Sequence, residues 1–290
     1  MAGRAGRDDP RQIPGRDPDW VTAFPGRDGR PKISSGPGGP VPLGSSFMST
    51  DRARAAALTA RARELWESLA GAGAEFTPAV SAAVSPGARI CPPGWAGVVV
   101  IAGAVLATAP DAGAARLLDH ALGDVPLASL SDAAVLASRL PLAGMLGPTA
   151  LAYLDPAEFH PQPGAVCVTE TSLDDPALRP LLQAASSAEV EESGLEEISP
   201  PAFVVREHRQ VVAAAGYRDW PRDTAQLSVL TSPAARDRGF ARAVASAAVA
   251  HAIKRGRLPQ WRARVLPSQR VARALGFREL GSQVSLRLLR

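Results

Sequence analysis

The sequence predicts a layered α+β fold. Runs of strand length, apolar or alternating, follow helix-period segments along most of the chain. Apolar residues make up 46% of the 290 residues, enough to bury a core and to fill two modest domains or one large one. Capping residues and glycines stand where one kind of element gives way to the next.

Taken in order, residues 1–48 are dense in Gly, Pro, Arg and Asp and short of large apolar side chains, so a disordered tail is expected. Trp20 and Phe24 are its few large apolar groups. Met48-Ser49-Thr50-Asp51 reads as a fresh start with a helix cap, which leaves Met48 as an alternative initiator. Residues 49–160 then read as an N-terminal α/β domain. Leu58, Ala62, Leu65 and Leu69 share a helical face, and that helix should end near Gly71. Gly97 to Ala109 reads as two short strands around Ala102-Gly103. Asp111 to Leu122 and Ser131 to Leu140 read as helices opened by their first residues, and Thr149 to Leu154 as a strand that Asp155-Pro156 closes.

Residues 161–290 form a second unit. Ala165 to Thr169 is a first strand, and Asp175 to Ala184 and Ser187 to Leu195 are helices. Ala202 to Glu207 and Gln210 to Tyr217 make a hairpin around His208-Arg209, leading to a strand from Ala225 to Thr231 that Pro233 closes. Phe240, Val244, Ala248 and Ala252 mark a helix that runs to Arg255. Pro259 to Val265 alternates as a strand does, Ser268 is a plausible N-cap of a short helix ending at Gly276, and Gln283 to Leu288 is a half-buried final strand.

The most informative stretch is Arg236-Asp237-Arg238-Gly239-Phe240-Ala241, a turn between a strand and a long helix. Such a turn aims free amides, a positive helix end and arginines at one place, which suits pyrophosphate. An ordinary strand–helix connection with surface arginines fits these six residues equally.

With the residues that follow, the chain resembles the GNAT superfamily of N-acetyltransferases. Arg236 to Ala241 is similar to the family's Gln/Arg-x-x-Gly-x-Gly/Ala motif, and Pro267 to Phe277 is similar to its second motif, ending Leu275-Gly276-Phe277. Trp261-Arg262-Ala263-Arg264 before it resembles the FR47-like branch. The resemblance covers roughly Val166 to Arg290 and implies a mixed, mostly antiparallel sheet flanked by helices, the GNAT fold. It also raises the idea that residues 49–160 are a degenerate half of the same fold, as in tandem members of the family.

The resemblance implies acetyl-CoA as co-substrate and an N-acetyltransferase acting by direct transfer in a ternary complex. Amides of Arg238, Gly239, Phe240 and Ala241 would hold the pyrophosphate, with Arg236 and Arg238 adding charge; Asp237 and Arg242 belong to the same turn. Val229, Leu230 and Thr231 would pair with the pantetheine arm, and an amide at a strand bulge near Leu230 would polarise the thioester. Ser268 sits where the family often has a small polar residue near the cofactor.

Two family features are missing. The usual tyrosine four residues before the glycine of Leu-Gly-Phe is Ala272, and the usual glutamate ahead of the anion turn is replaced by Ala225-Gln226. Proximity with water as proton carrier would then serve, with Glu207, Tyr217 and Ser268 as weak catalytic candidates and His208 on the same hairpin. Their absence also keeps open a catalytically silent protein that binds acyl-CoA as a sensor or structural module.

The acceptor would be a small-molecule or peptide amine. Glu207, Asp219 and the run Glu189-Val190-Glu191-Glu192 could attract a cationic one, although such runs are commonly solvated faces. The net charge of +4 comes with only two lysines, Lys32 and Lys254, and no basic block with interleaved aromatics, so no nucleic-acid partner is expected. Cys91 and Cys167 are isolated, and His120, His160, His208 and His251 have no metal-ligand spacing, so no metal and a reducing cytoplasm are expected. Gly97 to Ala109, the longest apolar run, is too short to span a bilayer. A monomer or homodimer fits all of this.

Overall fold

The computed structural model describes residues 45–71, 73–162, 164 and 166–289. Most of the expected tail lies outside the described residues. Its last part does not: α1 (Ser45–Ala70) is already helical at Ser45, ahead of the expected cap at Met48–Asp51. Its apolar stripe is the one read from the sequence, with Leu58, Ala62, Leu65 and Leu69 buried, and Trp66 is buried beside them.

β1 (Ala82–Val84), β2 (Ala96–Ile101) and β3 (Ala104–Ala109) follow, the last two joined by the expected turn, in which Ala102 and Gly103 both have positive φ. The carboxylate of Asp111 accepts the amide of Ala114 and starts α2 (Ala112–Leu122). Asp132, and not Ser131, caps α3 (Ala133–Arg139), because its carboxylate reaches two amides of the first turn. β4 (Leu142–Tyr153) is longer than the Thr149–Leu154 strand expected, since its first half pairs with a strand from the far end of the chain.

The strand expected from Ala165 is β5 (Thr169–Thr171), where pairing is available; Ala165 lies outside the described residues. A 3₁₀ turn capped by Asp175 leads into α4 (Arg179–Ala184), and Ser186 and Glu189 close a capping box on α5 (Ser187–Ser193). β6 (Ser199–Glu207) and β7 (Gln210–Trp220) form the expected hairpin, with His208 and Arg209 both at positive φ. β8 (Thr224–Thr231), α6 (Phe240–Lys254), β9 (Leu258–Ala263), α7 (Leu266–Ala274) and β10 (Arg278–Leu288) complete the order.

All ten strands join one mixed, open sheet in the order β1-β3-β2-β10-β4-β9-β8-β7-β6-β5. Among the described residues only β1/β3 and β8/β9 are parallel pairs. β10 lies between β2 and β4, so the stretches 49–160 and 161–290 meet inside this sheet. Helices α2, α3, α6 and α7 pack on one face, and α1, α4 and α5 on the other. The fold is therefore an α+β layer structure with a helix-flanked mixed sheet. Among the described residues no helix is long and apolar enough to cross a membrane.

Candidate functional site

The site begins with a break in strand pairing. β8 pairs with β7 in unbroken register from Thr224↔Trp220 to Thr231↔Ala213, and the amide of Ser232 donates to the Val212 carbonyl at 2.9 Å. Antiparallel alternation then turns the backbone groups of Ser228 and Leu230 toward β7, and those of Leu227, Val229 and Thr231 the other way, toward β9. Yet β9 pairs with β8 only over Thr224–Gln226. Beyond Gln226 the two strands part.

A cleft of about 950 Å³ fills the gap, at the upper end of the size expected for ligand pockets. Gln226 Nε2 occupies the Leu227 carbonyl at 3.1 Å, so Val229 and Thr231 present the open backbone edge. No register shift occurs at Leu230, so the bulge expected there is not formed and its amide stays in the β7 ladder. Val229 supplies the amide that faces the cleft.

The anion turn stands at the mouth. After a 3₁₀ turn at Pro233–Ala235, Asp237 and Gly239 take left-handed conformations, with φ of 60° and 79°, and α6 starts at Phe240. Gly239 carries no capping side chain and the first turn of α6 has no acidic residue, so the leading amides are without protein partners of the capping kind. A Cβ on Gly239 would meet nothing within 4 Å, so glycine is required there by its backbone conformation rather than by crowding.

Ten of the eleven expected cofactor-binding residues line this cleft: Val229, Leu230, Thr231, Arg236, Asp237, Gly239, Phe240, Ala241, Arg242 and Ser268. Arg238 does not line it. Its guanidinium makes a two-pronged pair with Glu207 (2.5 and 2.7 Å) and lies 4.7 Å over the Phe240 ring. That pair holds the Glu207 carboxyl below the usual range and raises the Arg238 guanidinium. Arg236 is likewise engaged, with Glu189 on α5 at 2.6 Å. The Ser186 amide and hydroxyl, and then Arg236, hold the Glu189 carboxyl at about 2.

Of the weak catalytic candidates the structure brings only Ser268 to the cleft. It sits in the first turn of α7 and is not the N-cap, because the helix starts at Leu266 with Pro267 in a favoured early position. Its Oγ accepts the Trp261 indole N–H at 2.9 Å, which leaves the hydroxyl proton free to donate. Glu207 is outside, tied to Arg238. Tyr217 is buried under α6, with its hydroxyl 3.0 Å from His251 Nδ1, and desolvation raises its pKa. Ala272, where the family tyrosine would stand, is buried against the α6–α7 core rather than lining the cleft.

Five arginines (Arg236, Arg242, Arg262, Arg264 and Arg270) line the cleft against three carboxylates, Glu189, Glu192 and Asp237. The acidic run on α5 is thus not free to attract a cation: Glu189 holds Arg236 and Glu192 holds Arg264. Residues that the sequence reading did not single out as functional are Arg262 and Arg264, although both lie in the run Trp261–Arg264. No three metal-ligating side chains cluster among the described residues. Cys91 and Cys167 are free thiols, and burial pushes Cys91 up to about 11.

With this geometry in place, the comparison with known families is specific. Residues 202–282 match the family model of the GNAT acetyltransferases. The match runs from β6 through the anion turn and into β10, so it contains the parted strands and both edges of the cleft. Solved structures to which the chain is similar are all of low identity. A GNAT-family acetyltransferase from Colwellia psychrerythraea is 14% identical, with 55% of this chain and 62% of that one covered and a TM-score of 0.40. A GCN5-related N-acetyltransferase from Kribbella flavida gives 17%, 54%, 63% and 0.37. For a GCN5-related N-acetyltransferase-like protein from Streptococcus suis the values are 18%, 80%, 99% and 0.43. The chain thus spans less than two thirds of the Colwellia and Kribbella proteins. A comparison with curated proteins gave no match.

Proposed function

We propose that this chain is an acyl-CoA-dependent N-acetyltransferase of the FR47-like kind, moving the acetyl group of acetyl-CoA to an amine by direct transfer in a ternary complex. The observation that carries the reading is the parting of β8 and β9 beyond Gln226, with the uncapped N-terminus of α6 at the mouth of the resulting cleft. An extended thioester arm can complete the open edge of β8 as an added strand. The turn amides and the helix end suit its diphosphate.

In the transfer, the amine nitrogen forms a bond to the thioester carbon, the C–S bond breaks with its electron pair leaving on sulfur, water takes the nitrogen's proton, and the sulfur is protonated. On this reading the Val229 amide, which faces the cleft, would polarise the carbonyl. Ser268, its oxygen held by Trp261, would donate its proton to the leaving sulfur, and water would return a proton to the serine. Most of the rate would come from holding the two reactants together. The acceptor is a small-molecule or peptide amine, and a cytoplasmic monomer or homodimer with no nucleic-acid or membrane partner suits the free thiols and the modest charge.

Thermal stabilisation by acetyl-CoA tests the reading. At a hundred times Kd, linkage gives about 2.7 kcal/mol, a rise of about 5–10 °C for a chain of this size. No rise with acetyl-CoA, propionyl-CoA or free CoA would remove the cofactor site. A rise without thiol release in the presence of any amine would identify a silent acyl-CoA-binding protein instead.

A further inference from the structure

Among the described residues, Arg262 is a cation without a counter-ion. It lies on β9 two residues past the last pairing with β8, opposite Leu151 of β4. Its side chain is on the α1 face of the sheet, away from α6. There the guanidinium packs over the rings of Trp220 (5.5 Å) and Trp66 (5.8 Å), two indoles that meet edge-on at 6.2 Å. One Nη2 hydrogen goes to Gln283 Oε1. Nε is sealed from solvent and has no partner. Nη1 makes no hydrogen bond and is not sealed, and Arg262 lines the cleft.

No carboxylate of those residues pairs with it, and burial lowers the pKa of its guanidinium. Arg236 and Arg264 each hold a glutamate of α5, and Arg270 is exposed to solvent. Arg242, which belongs to α6 on the other face, also lacks a carboxylate and has a sealed, unpartnered Nε, while its Nη2 donates to the Ala274 carbonyl at 3.0 Å. A desolvated guanidinium with unspent donors is costly, and two indole faces recover only part of that cost. What completes it is a planar anion, for which the guanidinium fork is shaped.

Place and charge narrow the occupant. On the acetyl-transfer reading the diphosphate would sit at α6, on the other face of the sheet, and the thioester would reach the parted strands from that side. The second reactant then approaches from the α1 and α5 face, where Arg262 is the unpaired group. The two glutamates that line the cleft on that face, Glu189 and Glu192, are already paired with Arg236 and Arg264, so the cleft there favours an anionic group and not a bare cation.

We propose that Arg262 anchors a carboxylate of the acceptor, so that the acceptor is an amino acid or a similar amine with its carboxylate a short distance from the nitrogen. This rests on the acetyl-transfer reading of the cleft. It gives α1 a part in specificity: Trp66, held by its N–H on the Tyr153 hydroxyl at 2.6 Å, forms one wall of the anchor.

The test is thiol release from acetyl-CoA with the twenty common L-amino acids and their carboxamides, for the full chain and for Arg262→Met and Arg262→Lys. Loss of a charge-assisted hydrogen-bonded anchor corresponds to about 10- to 100-fold. The native chain should therefore favour at least one acid over its carboxamide by that factor in kcat/KM. Arg262→Met should abolish the preference, and Arg262→Lys should keep part of it. Equal use of acids and carboxamides, no turnover with any acid, or a uniform fall for both classes in Arg262→Met overturns the proposal. The native chain's own preference decides the matter if the methionine variant fails to fold. Calorimetry with acetyl-CoA separates the two readings: binding without acid preference refutes the anchor alone, and no binding refutes the transferase and the anchor together.

Discussion

Gly239 combines two demands at one residue. Its φ of 79° costs an L side chain about 1–2 kcal/mol, and its open surroundings put any side chain where a diphosphate would lie. Gly239→Ala and Gly239→Glu should therefore lose similar stability, a few degrees in Tm. The glutamate should in addition abolish stabilisation by acetyl-CoA. A Gly239→Glu protein stabilised as fully as the native one would show that the turn is a plain connection. Residues such as Gly239 and Ser268 were legible because the local motif names them. Arg262 stood in the neighbouring run Trp261–Arg264, but its meaning was not legible. The indoles that flank it come from α1 and β7, and the missing counter-ion is visible only once those elements meet. Val229 could not be chosen over Leu230 from sequence either, because the choice depends on which backbone groups β7 consumes.

At the level of the element, α5 is short, seven residues, and its ends are specified by polar contacts. Ser186 and Glu189 cap its start, and Gly194 turns left-handed at its end. Because the folded Glu189 carboxyl lies at about 2, below the ordinary value of about 4.3, the cap is complete above pH 4.3 or so. It should be lost as pH falls toward 2. A carbon-detected NMR titration of the Glu189 carboxyl checks this, with a midpoint near 2 expected; a midpoint at the ordinary value would mean that the capping box does not form in solution. Helices such as α2 and α6 were located within about one residue from sequence, whereas α4 begins four residues later than expected, after a 3₁₀ turn. Strand ends were less legible. The first half of β4 contains Gly144, Gly147 and Pro148, poor strand formers, and it is a strand because β10 pairs with it.

For the whole molecule, the position of β10 joins the two halves of the sequence. Its residues pair with β2 on one side and β4 on the other, and Val284 and Leu286 enter the core beneath α2 and α3. Residues 49–160 expressed alone should therefore not fold: circular dichroism and proteolysis should show an unfolded chain, and adding a peptide of residues 278–290 should raise protection. A stable, protease-resistant 49–160 fragment would show that the missing strand is not needed. None of this order was legible in sequence, because alternation identifies a strand but not its neighbours.

β10 also has a history that the finished sheet conceals. On the ribosome, β2 and β4 emerge well over a hundred residues before it. At ordinary rates of synthesis they wait on the order of ten seconds with the edges that will clasp it unpaired. Exposed apolar edges such as Val98–Val100 are the kind that recruit other strands. The nascent chain should therefore depend on holding chaperones until β10 arrives, and its yield should follow the speed of translation through residues 154–277 more than the stability of the folded protein.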